Sequence, residues 1–179
     1  MKTFGYLILV AGLALSSGAL ISAAEKNEAG KGLDRIAREV RHELVTLPNY
    51  NVFDNLAFRV DGSTVTLMGQ VTRPTLKSDA ERVVRKIEGV ENVTNQIEVL
   101  PAAPNDDEIR RVAYRSIYSQ PNLQMYSVRS VPPIHIIVRN GNIILEGVVA
   151  NEADKNVAEL TAKGIPGAFS VTNNLVVEK

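Results

Sequence analysis

Two histidines, three consecutive carboxylates and two strand-terminal glycines are the residues of this chain whose types could support chemistry. His42 and His135 fall on different elements in different halves of the chain, and neither has a partner at metal-ligand spacing. They read as solvated or strand-edge side chains. Asp106-Asp107-Glu108 has the composition of a cation site, but it lies where a helix begins. Carboxylates there cap free amides and oppose the helix dipole, so capping is the expectation. Gly69 and Gly147 invite a phosphate-loop reading, yet neither sits in a Walker or dinucleotide pattern. Each ends a strand, which points to a backbone requirement instead. No Gly-x-Ser-x-Gly segment occurs. With Cys 0, disulfides, thiolate metal sites and cysteine nucleophiles are excluded. Catalysis needs convergent groups of tuned protonation, and none is visible. The expectation is a non-enzyme without metal or cofactor.

Binding residues are easier to find than catalytic ones. At about 100° per residue, Arg35, Arg38, Arg41 and His42 lie together opposite the apolar stripe of a first helix. Arg82, Arg85 and Lys86 do the same on a second helix, so the two stripes are placed to merge into one basic surface. Such a surface attracts anionic lipid headgroups; an ordinary solvated helix face, with Glu81 and Glu88 interspersed, is the competing reading. Further on, Tyr114 and Tyr118 stand one turn apart beside Arg111 and Arg115, away from a stripe of Ile109, Val112, Ala113 and Ile117. Tyrosine with arginine outside a core is typical of membrane interfaces and protein-contact hot spots. Packing against the other half of the chain, or against a proline-rich insertion, explains the pair equally well.

The elements that must position these residues come from a duplication. Val60, Leu67, Gly69, Val71, Lys77, Ala80, Glu81, Ile87, Gly89, Val93, Thr94, Asn95 and Val99 each recur 78 places later. Upstream the offset is 73, with Asp34, Ile36, Arg38, Pro48 and Asn49 recurring as Asp107, Ile109, Arg111, Pro121 and Asn122. The difference of five is an insertion near Val128 to Ile134, marked as a loop by Pro132 and Pro133. One unit has been duplicated.

In the first copy, Leu33, Ile36, Val40, Leu44 and Leu47 carry helical spacing, so a helix is predicted over about 33–46 and ended by Pro48-Asn49. Strands over 56–60 and 64–71 meet at Asp61-Gly62, a hairpin signal. Leu76, Ala80, Val83, Val84 and Ile87 mark a second helix, and Val93, Ile97 and Val99 a last strand. The second copy repeats the plan: helix 107–119, strands 135–139 and 142–149 around Asn140-Gly141, helix 152–163, strand 169–177. The fold class is α+β: two tandem α-β-β-α-β two-layer domains, each a three-stranded mixed sheet covered on one face by two helices. The strands joined by the last helix should be parallel neighbours.

Ahead of the repeat, Met1 to Ala24 has a charged Lys2, an apolar run from Leu7 to Leu15 and small residues at Ser22 and Ala24. This is the pattern of an export signal cleaved after Ala24. An uncleaved membrane anchor is the alternative, since Phe4 to Ala24 is nearly long enough to span a bilayer. The expected organisation is signal 1–24, leader 25–32, first domain 33–100, linker 101–105 and second domain 106–178. Lysine plus arginine equal aspartate plus glutamate at 20 each, so no basic excess favours nucleic acid.

The units resemble the BON domain family. The resemblance rests on Val65-Thr66-Leu67-Met68-Gly69-Gln70-Val71 and Ile143-Ile144-Leu145-Glu146-Gly147-Val148-Val149. It rests equally on Gly89-Val90 with Val93-Thr94-Asn95, and Gly167-Ala168 with Val171-Thr172-Asn173. It implies an α+β fold, a periplasmic location, osmotic or envelope stress, and peripheral binding of anionic phospholipid or other envelope components. It offers no catalytic residues. A protein-interaction or chaperone-like stress protein that ignores lipid is the second reading.

Overall fold

The computed structural model describes residues 32–178. The expected export segment, with its cleavage after Ala24, lies outside the described residues. Helix α1 covers residues 32–45 and buries Ile36, Val40 and Leu44 on one stripe. A turn over 46–54 leads to β1 (Asn55–Asp61) and β2 (Thr64–Val71), paired antiparallel from Asn55↔Gln70 to Asp61↔Thr64. Helix α2 (Pro74–Val84) then crosses to β3 (Asn92–Asn95) and β4 (Glu98–Val99), both parallel to β2. The second copy runs α3 (Pro104–Tyr118), a 3-10 helix (Gln124–Val128), β5 (Ile134–Arg139), β6 (Asn142–Val149), α4 (Glu152–Lys163), β7 (Ser170–Asn173) and β8 (Val176–Val177). Its strands pair with the same topology. The predicted two-layer α+β plan and the parallel crossover are therefore observed twice.

Three details differ from the sequence expectation. The last strand of each copy is broken just after Asn95 and Asn173, the last paired residues of their ladders, whose side chains tie the sheet to the helix above. The Asn95 amide donates to the Lys77 carbonyl at 2.9 Å and to Glu81 at 3.0 Å, while its Oδ1 accepts from the Ile97 amide at 3.1 Å. Asn173 repeats this with Lys155, Glu159 and Leu175. Lys77, Glu81 and Asn95 recur in the second copy as parts of one clamp. Second, α3 begins at Pro104 with Ala103 as N-cap, so Asp106 is inside the helix. Third, the stretch just before the insertion is ordered as a 3-10 turn that buries Tyr126.

Gly69 and Gly147 do answer a backbone requirement. Their φ values are 110° and 118°, and a Cβ there would stand 2.0 Å from the Asn55 carbonyl oxygen and 1.9 Å from that of Pro133. Only glycine lets the hairpin partner approach so closely.

Each copy has its own core. The first gathers Ile36, Val40, Leu44, Val65, Leu67, Ala80 and Ile97; the second gathers Ile109, Ala113, Ile117, Ile136, Leu145, Ala158 and Leu175. One residue crosses over: Val52, from the turn after α1, belongs to the second core.

Candidate docking site

The turn that carries Val52 is held by its own polar groups. Asp54 is fully buried and accepts from the Thr72 amide at 2.7 Å, the Thr72 hydroxyl at 2.9 Å and the Asn51 amide at 3.2 Å. The Asn51 side chain accepts from the Phe53 amide at 2.9 Å. These bonds fix the turn to the end of β2 and push Val52 and Phe53 toward the second copy. The Val52 carbonyl accepts from the Ile136 amide at 2.8 Å. Phe53 meets Tyr114 edge-on at 6.2 Å, Tyr50 stacks on His135 at 5.6 Å, and Arg139 pairs with Glu98 at 2.8 Å.

The effect is to close the open edge of β5. A sheet edge presents unpaired amides and carbonyls, which need partners when they are buried. The Tyr118 hydroxyl donates to the Ile134 carbonyl and accepts from the Ile134 amide, Val52 serves Ile136, and Arg110 donates to the Val138 carbonyl at 2.6 Å. Ile134, Ile136 and Val138 are consequently buried.

This overturns the outward reading of Tyr118, which is only 6% exposed and part of the second core. Tyr114 is half-buried between Phe53 and Tyr118. The buried side of α3 includes Arg110 and Tyr118, while Val112 is only partly buried. The aromatic patch is an internal joint because the first copy packs along the helix. Arg111 is exposed and paired with Glu108 at 2.5 Å, and Arg115 is exposed. Asp106 is not a cap: its buried carboxylate accepts from the Asn140 and Gly141 amides at 2.9 and 2.8 Å, fastening the β5–β6 turn to α3.

The same face of the first copy is open. Ala37, Arg41 and Val45 stand 73 positions before Arg110, Tyr114 and Tyr118. Two of the three are small, and between α1 and β1 they leave a groove of about 410 Å³, lined also by Leu44, Leu56, Ala57 and Phe58. Phe58 and Val60 correspond to Ile136 and Val138 through the 78-residue offset. Among the described residues, no group plays for them the part that Val52 and Arg110 play in the second copy. Both residues remain half-exposed.

The basic stripes do not merge as a whole. Arg38, His42 and Lys86 line one groove between α1 and α2, with Glu39, Glu43 and Glu88 among them. Arg41 turns instead toward the β1 groove. Arg35 pairs with Glu39 at 2.9 Å, Arg82 with Asp79 at 2.5 Å and Arg85 with Glu81 at 2.5 Å. Exposed intrahelical pairs of this kind mask positive charge more than they stabilise.

Sequence reasoning missed Val52, Arg110, Asp54 and Tyr126. The last two share a task. Tyr126 accepts from the Ala150 amide at 2.8 Å and donates to Asp154 at 2.6 Å; Ala150 is the repeat counterpart of Thr72, which Asp54 holds. The one available signal was the loss of repeat identity on either side of the insertion. Burial holds the His135 imidazole below its ordinary pKa and pushes the Tyr50 phenol up to about 12. Among the described residues, no group of three or more His, Asp or Glu side chains could hold a metal ion.

The family pattern described as BON domain matches residues 33–101 and 105–179, nearly all of the two copies just described. The chain belongs to the BON domain family. The chain is similar to osmotically-inducible protein Y of Escherichia coli (strain K12), with 28% identity over 154 residues, 83% of this chain and 75% of that protein. Two solved structures of CdsD, a structural protein of the type III secretion system of Chlamydia trachomatis, also align. Their identity is 12% in both cases, with TM-scores of 0.28 and 0.29. They cover 79% and 80% of this chain and 96% and 92% of their own chains. No helix among the described residues is long and apolar enough to cross a membrane.

Proposed function

We propose that this tandem BON protein is a non-enzymatic, exported component of the cell envelope that docks a protein partner under osmotic or envelope stress. The second copy acts as support and the first as the docking module. One observation carries the reading: the face built by Arg110, Tyr114 and Tyr118 is used up inside the molecule, while its equivalent at Ala37, Arg41 and Val45 is unfilled. The envelope and stress context follows the likeness to osmotically-inducible protein Y and the export pattern of Met1 to Ala24.

A second reading, peripheral contact with anionic phospholipid, is favoured by the placement of Arg38, His42 and Lys86 around one groove. Co-sedimentation with phosphatidylglycerol and phosphatidylcholine vesicles, at low and moderate salt, separates the two. The docking reading expects no association with either vesicle and covalent protein adducts when a photo-crosslinker replaces Arg41 in stressed cells. Binding only to the anionic vesicles, fading with salt and lost in Arg38→Glu/Lys86→Glu, overturns it in favour of lipid.

A further inference from the structure

Resting on the docking reading, we infer that the groove between α1 and β1 takes an extended apolar segment of another polypeptide, added to the sheet alongside β1. The chemistry is set by what the equivalent groove already accepts. In the second copy the occupant is an apolar residue, Val52, whose carbonyl receives the Ile136 amide. A neighbouring aromatic, Phe53, covers the helix. In the first copy the amide in the corresponding place is that of Phe58, and the cavity walls are Ala37, Leu44, Val45, Leu56, Ala57 and Phe58. An incoming segment therefore supplies a backbone acceptor for Phe58, a donor for the Val60 carbonyl and apolar side chains on alternate residues. Arg41 at the rim favours a carboxylate on the segment's outer side.

Several features keep this edge available. β1 carries no proline and no inward-pointing charge, and its charged residues Arg59 and Asp61, on the exposed face, alternate with Phe58 and Val60. Val45 is 50% exposed where its counterpart Tyr118 is buried, so the groove lacks the side chain that closes the other one. Tyr50, which borders the Leu56 backbone, is anchored on His135 and reaches only the first residue of the groove.

The test uses the whole chain and a fluorescein-labelled ten-residue peptide of alternating valine and threonine with one terminal aspartate. Its control has proline at two central positions. Anisotropy should show saturable binding of the first peptide and at least tenfold weaker binding of the proline control, which cannot pair through its backbone. Hydrogen exchange of the Phe58 amide should slow at least tenfold on binding. Ala37→Arg/Val45→Tyr, which copies the side chains that take up edge groups beside Val52 in the second copy, should weaken binding at least tenfold by occupying the Val60 carbonyl, while leaving the circular dichroism spectrum unchanged. Ala37→Ser, a mild change, should keep it.

Equal binding of both peptides, or unchanged binding by Ala37→Arg/Val45→Tyr, overturns the inference. So does Phe58 protection without peptide: if it rises with protein concentration the occupant is a second copy, and if it vanishes on removal of residues 1–31 the occupant is the chain's own start. If Ala37→Arg/Val45→Tyr still forms protein adducts in cells, the docking function stands and this groove is not its site.

Discussion

The Tyr118 hydroxyl donates to the Ile134 carbonyl at 2.7 Å and accepts from the Ile134 amide at 3.2 Å, so one side chain closes both open-edge groups of a buried residue. The phenol is pushed above its ordinary pKa by that burial and stays protonated across the physiological range. Tyr118→Phe keeps the ring and removes both bonds. Leaving the Ile134 amide and carbonyl buried without partners should destabilise the fold by about 1–3 kcal/mol, measured by urea unfolding.

Val52 is covalently part of the first copy and energetically part of the second. Val52→Asp should therefore lower stability by roughly 2 kcal/mol or more, from lost apolar burial and an unpaired buried charge. Hydrogen exchange should place the loss in β5 and α3 rather than in β1 and β2. Faster exchange confined to the first copy would contradict the crossing.

His135 makes the joint acid-sensitive. Its folded pKa lies below the ordinary 6.5 because burial disfavours the imidazolium, outweighing the attraction of Asp54 and Glu146. Between the folded and unfolded values the unfolded chain binds the extra proton, so this contribution is complete above about pH 6.5 and is lost as pH falls through the folded value. The slope is at most about 1.4 kcal/mol per pH unit for one proton. Denaturation between pH 7.5 and 5 should show a stability decline that is shallower in His135→Phe.

Asn95 and Asn173 offer an internal control, since each makes two bonds to the helix and one to the strand amide two residues on. Alanine at either position should cost about 1–3 kcal/mol, similar in the two copies. Local exchange at Ile97 and Leu175 reads the effect directly. The neighbouring carboxylates respond as well. Hydrogen bonding from Asn95 and Arg85 holds Glu81 below its usual range, and Lys163 and Asn173 do the same for Glu159. Each should titrate higher in the matching alanine variant.

What could be read from the sequence divides along a physical line. Periodicities of 3.6 and 2 are local, so the α+β plan, the strand pairing and the apolar stripes of the helices and strands were legible, while the core residues Val52, Tyr118 and Tyr126 were not. The role of Glu81 and Asn95 was visible only as recurrence; the clamp that explains it needed the third dimension. For Tyr114 and Tyr118 a helical wheel left two readings open because it knows one helix; Val52 and Phe53, arriving from sixty residues upstream, decide for packing against the other half of the chain. Asp106 misled for a related reason: its carboxylate is used by a turn more than thirty residues away.

The crossing of Val52 also gives the chain a direction. Polypeptides emerge N-terminus first, and the first copy can assemble its sheet from residues that have already appeared. The second needs a piece of its elder neighbour to complete its interior and cover its edge. The late half thus completes its interior and its edge against a residue that the early half supplies. If the early half is damaged, the late half is left with an unfinished interior and a bare strand. The duplication yielded a senior and a dependent partner rather than two equals.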